Sequence, residues 1–559
     1  MKNIYFLFLI FVFLTLDTSA QFTKYIIRFK DKAGTPFTVD NPTAYLSAKA
    51  IARRSRQSIA IDETDLPITP RYIDSVRLAG NVTILDQSKW LNQVCIATTD
   101  TAALTKINSL PFVITSQPLM KPVSVQSPGQ DKLNEQIDSV SSPAESTGAE
   151  DFYNYGNAYA QIHIHEGEYL HDKGFHGEGM SVAILDAGFY HYLNLSAFDS
   201  VRNNGQVKET YDYVANETSV NEDYFHGMEC FSIMAANVPG QLVGSSPKAN
   251  YYLYRTEDAS SESPVEEQYW AAAAERADSI GVDVISTSLG YNQFDNPLFN
   301  YSYADMNGHT TLAAKAAGFA AKKGMIVVVA AGNAGAGSWH FITTPADADS
   351  VVSVGATSTS GTIAAFSSYG PSSDGRVKPE VASVGKGTAL ISTTGSVISG
   401  NGTSFATPNM AGLITCLWQA FPEFTNMEII RAVEKSSITY NLPDDRIGYG
   451  IPNFHRAYDD LARQRLLKNI STTLGNKMIK VFPNPFTTSF NVAINPQHSG
   501  NGTLSLYDAG GKLVAKKQVS LRQSQIQLIE FTGLPLQKGI YLIKFADGKN
   551  KEVTKLVAQ

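Results

Sequence analysis

Between residues 151 and 460 the sequence alternates short, almost continuously apolar runs with longer segments of helical periodicity, and this alternation narrows the accessible folds sharply. The apolar runs fall at 182–185, 251–254, 282–285, 325–331 and 351–354, and helical segments such as 265–280 and 310–323 lie between them. Successive side chains of a strand point to opposite faces of its sheet, so a strand without alternation is buried on both faces. The expected fold is therefore α/β, a mostly parallel sheet covered by helices on both sides. In such sheets, ligands and reacting groups gather beyond the carboxyl ends of the strands.

Four side chains stand at or near such positions. The run at 182–185 ends in Asp186-Ala187-Gly188; His226-Gly227-Met228-Glu229-Cys230 opens a helix reaching about residue 236; the run at 325–331 ends in Ala331-Gly332-Asn333-Ala334-Gly335. Last comes Gly400-Asn401-Gly402-Thr403-Ser404-Phe405-Ala406-Thr407-Pro408, a glycine-rich loop delivering a serine onto the first turn of an apolar helix. Taken singly, each has an ordinary explanation: Asp and Asn form turns before glycine, histidine sits on surfaces, and Ser or Thr caps helices. As an ordered set they have few accidental explanations. A serine hydroxyl is a poor nucleophile until an imidazole accepts its proton, and the imidazole needs a carboxylate to fix its tautomer and stabilise its charged form. An Asn carboxamide N–H can stabilise the oxyanion formed when a carbonyl is attacked.

The set resembles that of subtilisin-like serine proteases, which carry their triad in the order Asp, His, Ser. The resemblance covers residues 151–457. It implies that Asp186 orients the histidine, His226 is the general base, Ser404 the nucleophile and Asn333 the oxyanion donor. It also implies that Ser288-Leu289-Gly290 belongs to a strand pairing with extended substrate, and that Gly448-Tyr449-Gly450-Ile451-Pro452-Asn453 closes the domain. Two positions depart from the family pattern: Ala187 stands where Thr or Ser is usual, and Met228 where Thr is usual. The implied activity is a secreted endopeptidase that works through an acyl-enzyme. The alternatives are a serine-carboxyl peptidase, against which His226 argues, and an inactive surface binding protein on a protease-like scaffold. No cofactor is required. His163, His165, His171 and His176 suggest a metal, but Tyr169 takes the place of the second ligand in the zinc-protease pattern. Calcium sites are common in the family, yet no loop here spells one out.

At 559 residues the chain exceeds a single core. Residues 1–20 have a charged start, an apolar middle and a small-residue end, the pattern of a signal peptide, and no later stretch spans a membrane. Residues 21–120 read as a small α+β domain, placed where subtilisin-like precursors carry an inhibitory propeptide. Its Arg53-Arg54-Ser55-Arg56 run reads as a solvated helix face. Residues 121–150 have linker composition, residues 151–460 form the protease-like domain, and 461–476 read as a second linker. Residues 477–559 read as an antiparallel β-sandwich and resemble the C-terminal sorting domains of type IX secretion, which implies export through the periplasm of a Gram-negative bacterium to the medium or cell surface. The partners expected are protein or peptide substrates and that secretion machinery. With a net charge of -7 and no clustered basic block, nucleic acid is not an expected partner. Three cysteines, Cys95, Cys230 and Cys416, encode no disulfide framework.

Overall fold

The structure is a computed structural model and describes residues 22–120, 136–139 and 151–559. The signal-peptide reading, and the linker reading of 121–150 apart from 136–139, fall outside the described residues. The chain divides into two compact units, Met1–Tyr458 and Asp459–Gln559.

The first unit is built on a nine-stranded sheet. In spatial order its strands are Gln136–Ser139, Val397–Asn401, Val381–Ile391, Val352–Ser358, Ile326–Ala330, Val284–Thr287, Ser181–Asp186, Asn250–Arg255 and Val207–Asp212. Pairing is parallel from Val381–Ile391 to Val207–Asp212 and antiparallel for the first two strands. The chain runs from Ser181–Asp186 outward to one side, returns, and then builds the other side from Val284–Thr287. The strand order therefore reverses between these two neighbours, the point at which open α/β sheets place their binding crevice, beyond the carboxyl ends of the strands. Asp186 ends one of them and Ser288 follows the other.

Helices cover both faces. Val265–Ile280 and Leu312–Lys322 present small residues to the sheet and to each other, including Ala273, Ala274, Ala277, Ala316, Ala317 and Ala320, all fully buried. Small side chains let helices lie close, and Trp270 fills the space beneath them with its indole N–H donated to Thr287 Oγ1 at 3.0 Å. The N-terminal domain packs on the same two helices. It has a four-stranded antiparallel sheet ordered Thr83–Ser88, Gln93–Ala97, Lys24–Phe29 and Val113–Met120, with helices Ala48–Arg56, Pro70–Arg77 and Thr101–Asn108.

The second unit holds two antiparallel sheets of three and four strands around a core that includes Phe490, Phe531, Leu504, Ile543 and Phe545. The stretch 461–476, read from sequence as a linker, is helical as far as Leu474 within the helix Phe454–Leu474. Ile470 and Leu474 pack there with Ala493, so the segment has an apolar stripe to bury.

Two of the four histidines of 163–176 are buried with both ring nitrogens paired. His165 faces Pro452 O at 2.9 Å and Ser383 Oγ at 2.8 Å, and His171 faces Tyr155 Oη at 2.6 Å and Ser245 O at 3.2 Å. Each ring thus meets one carbonyl, which needs a donor, and one hydroxyl, which can donate in return, the pattern of a neutral imidazole. Burial holds His165 down to about 4 and His171 down to about 3. Both histidines stay neutral when folded but bind protons when unfolded below about pH 6.5, so their contribution is present at neutral pH and is lost as pH falls. Buried carboxyls such as Glu267, raised to about 7 by burial, act in the opposite sense, so the histidine effect is isolated by substitution. His171→Gln, which keeps a donor and an acceptor, should reduce the loss of denaturant stability between pH 7 and pH 5 by roughly 2 kcal/mol relative to the parent. An unchanged pH dependence would contradict this.

Candidate active site

Asp186 is the last residue of its strand and is fully buried. Its Oδ1 lies 2.7 Å from His226 Nδ1 and also accepts the Ala187 N–H at 2.7 Å. His226 is the first residue of the helix His226–Ala235. That helix can start so close to the strand end only because the next residue is glycine: a Cβ on Gly227 would stand 2.5 Å from Gly188 O and 2.8 Å from Asp186 Cβ. The glycine after the histidine is therefore a packing requirement of the Asp–His contact itself.

Ser404 is the second residue of the helix Thr403–Ala420, whose N-cap is Gly402. The capping explanation for Thr403 and Ser404 is thus replaced, since both lie inside the helix. Within that helix Pro408 has no N–H to give to the carbonyl four residues back, which is that of Ser404. Side chains supply the missing donors: Ser288 Oγ reaches Ser404 O at 2.7 Å and Cys230 Sγ at 3.4 Å. The Ser404 hydroxyl in turn donates to Ser288 O at 3.4 Å. The backbone carrying the serine is therefore tied to the neighbouring strand end and to the histidine helix. Cys230 is the link, since its sulfur also lies within 4.8 Å of ligand atoms of Asp186 and His226. The His226 ring stands 6.1 Å, centroid to centroid, from that of Phe405, the residue after Ser404.

Asn333 follows the strand Ile326–Ala330 and is exposed at the same sheet edge. Its Oδ1 accepts from Thr403 N and Thr403 Oγ1, both at 2.9 Å, while Gly332 N donates to Thr403 Oγ1 at 3.2 Å. These bonds use the oxygen of the carboxamide, so its donor side is turned the other way.

The segment Ser288-Leu289-Gly290 is only partly available to a ligand. Ser288 and Leu289 are buried and Gly290 is exposed, and a side chain at 290 would meet Thr343 Oγ1. The Ser288 side chain holds Ser404, a role that sequence spacing did not reveal. Neither Cys230 nor Pro408 stood out as a positioning residue in the sequence, although Pro408, a proline early in a helix, was a visible signal. All three cysteines are buried, and none is in a disulfide.

The subtilase family profile matches residues 177–450. A peptidase S8 propeptide domain described for Bacteroidota matches 24–136, and a secretion system C-terminal sorting domain matches 480–559. Subtilisin Savinase of Lederbergia lenta is 30% identical over 262 residues, covering 46% of this chain and 83% of that protein. M-protease of Shouchella clausii (strain KSM-K16) is 30% identical over 262 residues, covering 46% of this chain and 59% of that protein. Among solved structures, MycP1 from Mycobacterium smegmatis aligns with a TM-score of 0.43 at 20% identity, covering 58% of this chain and 89% of that one. The chain belongs to the subtilase family, a class of serine-type endopeptidases. It carries a propeptide domain ahead of the protease domain and a sorting domain after it.

Proposed function

We propose that the chain is a secreted endopeptidase that hydrolyses protein substrates through Ser404, His226 and Asp186. The contact of 2.7 Å between Asp186 Oδ1 and His226 Nδ1 at the carboxyl edge of the sheet carries this reading. His226, held by Asp186 through Nδ1, takes the Ser404 proton on Nε2 as Oγ attacks the substrate carbonyl carbon. Asn333 Nδ2, its amide oriented by Thr403, donates to the oxyanion. His226 then protonates the departing amine, and water cleaves the acyl ester to return Ser404 and a free carboxylate. Gly290 is the exposed part of the 288–290 segment and offers backbone rather than side chain to an extended peptide.

The N-terminal domain acts as an inhibitory propeptide, removed by a cut within 121–150. The sorting domain directs the protein to the cell surface or medium through the type IX machinery, by way of the periplasm. Among the described residues no helix is long and apolar enough to cross a membrane.

A fluorophosphonate should label the processed protein once, on Ser404, with a labelling rate that rises between about pH 6 and 8 as an imidazole base loses its proton. No labelling would favour an inactive binding protein, and a rate maximum on the acid side would point to a carboxyl base.

A further inference from the structure

The basic run 53–56 is only in part the solvated face its composition suggests, since Ser55 and Arg56 are exposed and the two arginines before them are not. Arg53 and Arg54 are each 1% exposed, lodged where the N-terminal domain meets the carboxyl ends of two protease-domain helices, Val265–Ile280 and Leu312–Lys322. Carbonyls at a helix end lack intrahelical partners and carry the negative end of the helix dipole. Arg53 supplies both donors and charge there: its guanidinium donates to Lys323 O and Asp278 O, each at 3.2 Å, and to Val282 O, and it pairs with the Asp278 carboxylate. Arg54 bridges Asp65 of its own domain at 2.6 Å and Asp278 across the boundary at 2.8 Å. Lys323 crosses back to Asp65 at 2.8 Å and to Asp62 at 3.1 Å. The charges alternate in sign from Arg53 through Asp278, Arg54, Asp65 and Lys323 to Asp62, so each buried charge has an opposite neighbour.

Neutral contacts continue the seam. Gln57 donates to Gly324 O at 2.7 Å and accepts Asn426 N at 3.0 Å. Glu275, one turn before Asp278, accepts Lys89 N at 2.7 Å, Trp90 N at 3.0 Å and the Ser88 hydroxyl. Val282 and Lys323 lie just ahead of the strands Val284–Thr287 and Ile326–Ala330, so the network lies at the amino edge of the sheet, whereas Asp186 and Ser404 lie at the carboxyl edge.

We propose that Arg53 and Arg54 anchor the N-terminal domain to the protease domain independently of both the covalent link and the catalytic cleft. Cutting the chain between 121 and 135 then leaves the domain bound, and its release requires breaking this seam. The surface formed by Glu275, Asp278, Lys323 and Gly324 fits one kind of partner, a helix with two adjacent arginines whose domain also brings a carboxylate to Lys323. A propeptide lacking the arginine pair would leave buried Asp278 with Lys89, at 3.5 Å, as its remaining counter-charge, so the seam favours its own domain.

The inference rests on the propeptide reading, and the test separates the two. A full-length Ser404→Ala chain carrying an inserted protease recognition sequence within 121–135 is cut by added protease, and loss of the 22–120 fragment after dilution is followed by size-exclusion chromatography. The parent fragment should remain bound. Asp278→Asn should speed its loss at least about 100-fold, since removing one partner strands buried charge. Arg77→Ala, which breaks an exposed pair with Asp74 inside the N-terminal domain, should change the rate less than about threefold. Arg54→Met, which keeps the packing length, provides a second variant should Asp278→Asn fold poorly, and it should accelerate loss to a similar degree. Immediate loss of the parent fragment, or rates for both variants within threefold of the parent, would overturn the anchor. Ser404 labelling in the serine-bearing chain, before and after the same cut, reports separately whether the bound domain inhibits.

Discussion

Ser404→Ala should lower turnover of an unstructured protein substrate by about 10⁶-fold, a scale taken over from subtilisin itself rather than obtained from this geometry. The structural argument concerns why the loss should be chemical and not a folding defect. The Ser404 side chain makes one long hydrogen bond, to Ser288 O at 3.4 Å, while the bonds fixing its backbone come from Ser288 Oγ and Cys230 Sγ to its carbonyl. Alanine keeps that carbonyl, and it suits the helix Thr403–Ala420 better than serine does. The denaturant midpoint should therefore move little while steady-state turnover and fluorophosphonate labelling both vanish. A variant that retained more than about one percent of parent turnover would require another nucleophile.

The parallel sheet was legible because its strands are apolar on both faces: 182–185, 251–254, 282–285, 325–331 and 351–354 each lie within or overlap an observed strand. Two strands carried no such signal. Val207–Asp212 is an edge strand of sequence VKETYD, half-buried and therefore polar, and Val381–Ile391 contains Gly385, Lys386 and Gly387 in its middle, which breaks the apolar run. The candidate site stood out in the sequence for a related reason. Asp186 ends one core strand and Asn333 follows another, and His226 and Ser404 open buried helices, so each is marked by the apolar segment beside it. What holds those side chains was not legible. Ser288, Cys230 and Thr403 act across more than a hundred, more than a hundred and seventy, and seventy residues of chain respectively, and polar contacts at that range leave no local pattern. The arginine pair was misread for the same reason: a basic run on a short helix is usually solvated, and only a partner carboxylate 224 or 225 residues away makes burial tolerable.

Asp186→Ala should cost about 10⁴ in turnover, a size again taken over from the corresponding subtilisin change, and Asp186→Asn should be the milder substitution. With alanine, His226 Nδ1 loses its buried partner, so the ring is free to adopt the other tautomer or to turn, and the imidazolium loses its counter-charge. Asparagine removes only the charge, provided its oxygen stays where Oδ1 now lies. The Ala187 N–H enforces this, since it donates to Oδ1 at 2.7 Å and would oppose an amide N–H placed there. With the oxygen so held, the Nδ1–H of His226 keeps its acceptor, and Nε2 stays unprotonated, as the proposed mechanism requires. One retained orienting hydrogen bond is worth about 1.4 kcal/mol, so the Asn variant should exceed the Ala variant by about tenfold in kcat. Equal rates, or a slower Asn variant, would mean that the amide turns its nitrogen to the ring and imposes the wrong tautomer, and Ala187 would then have no part in holding the acid.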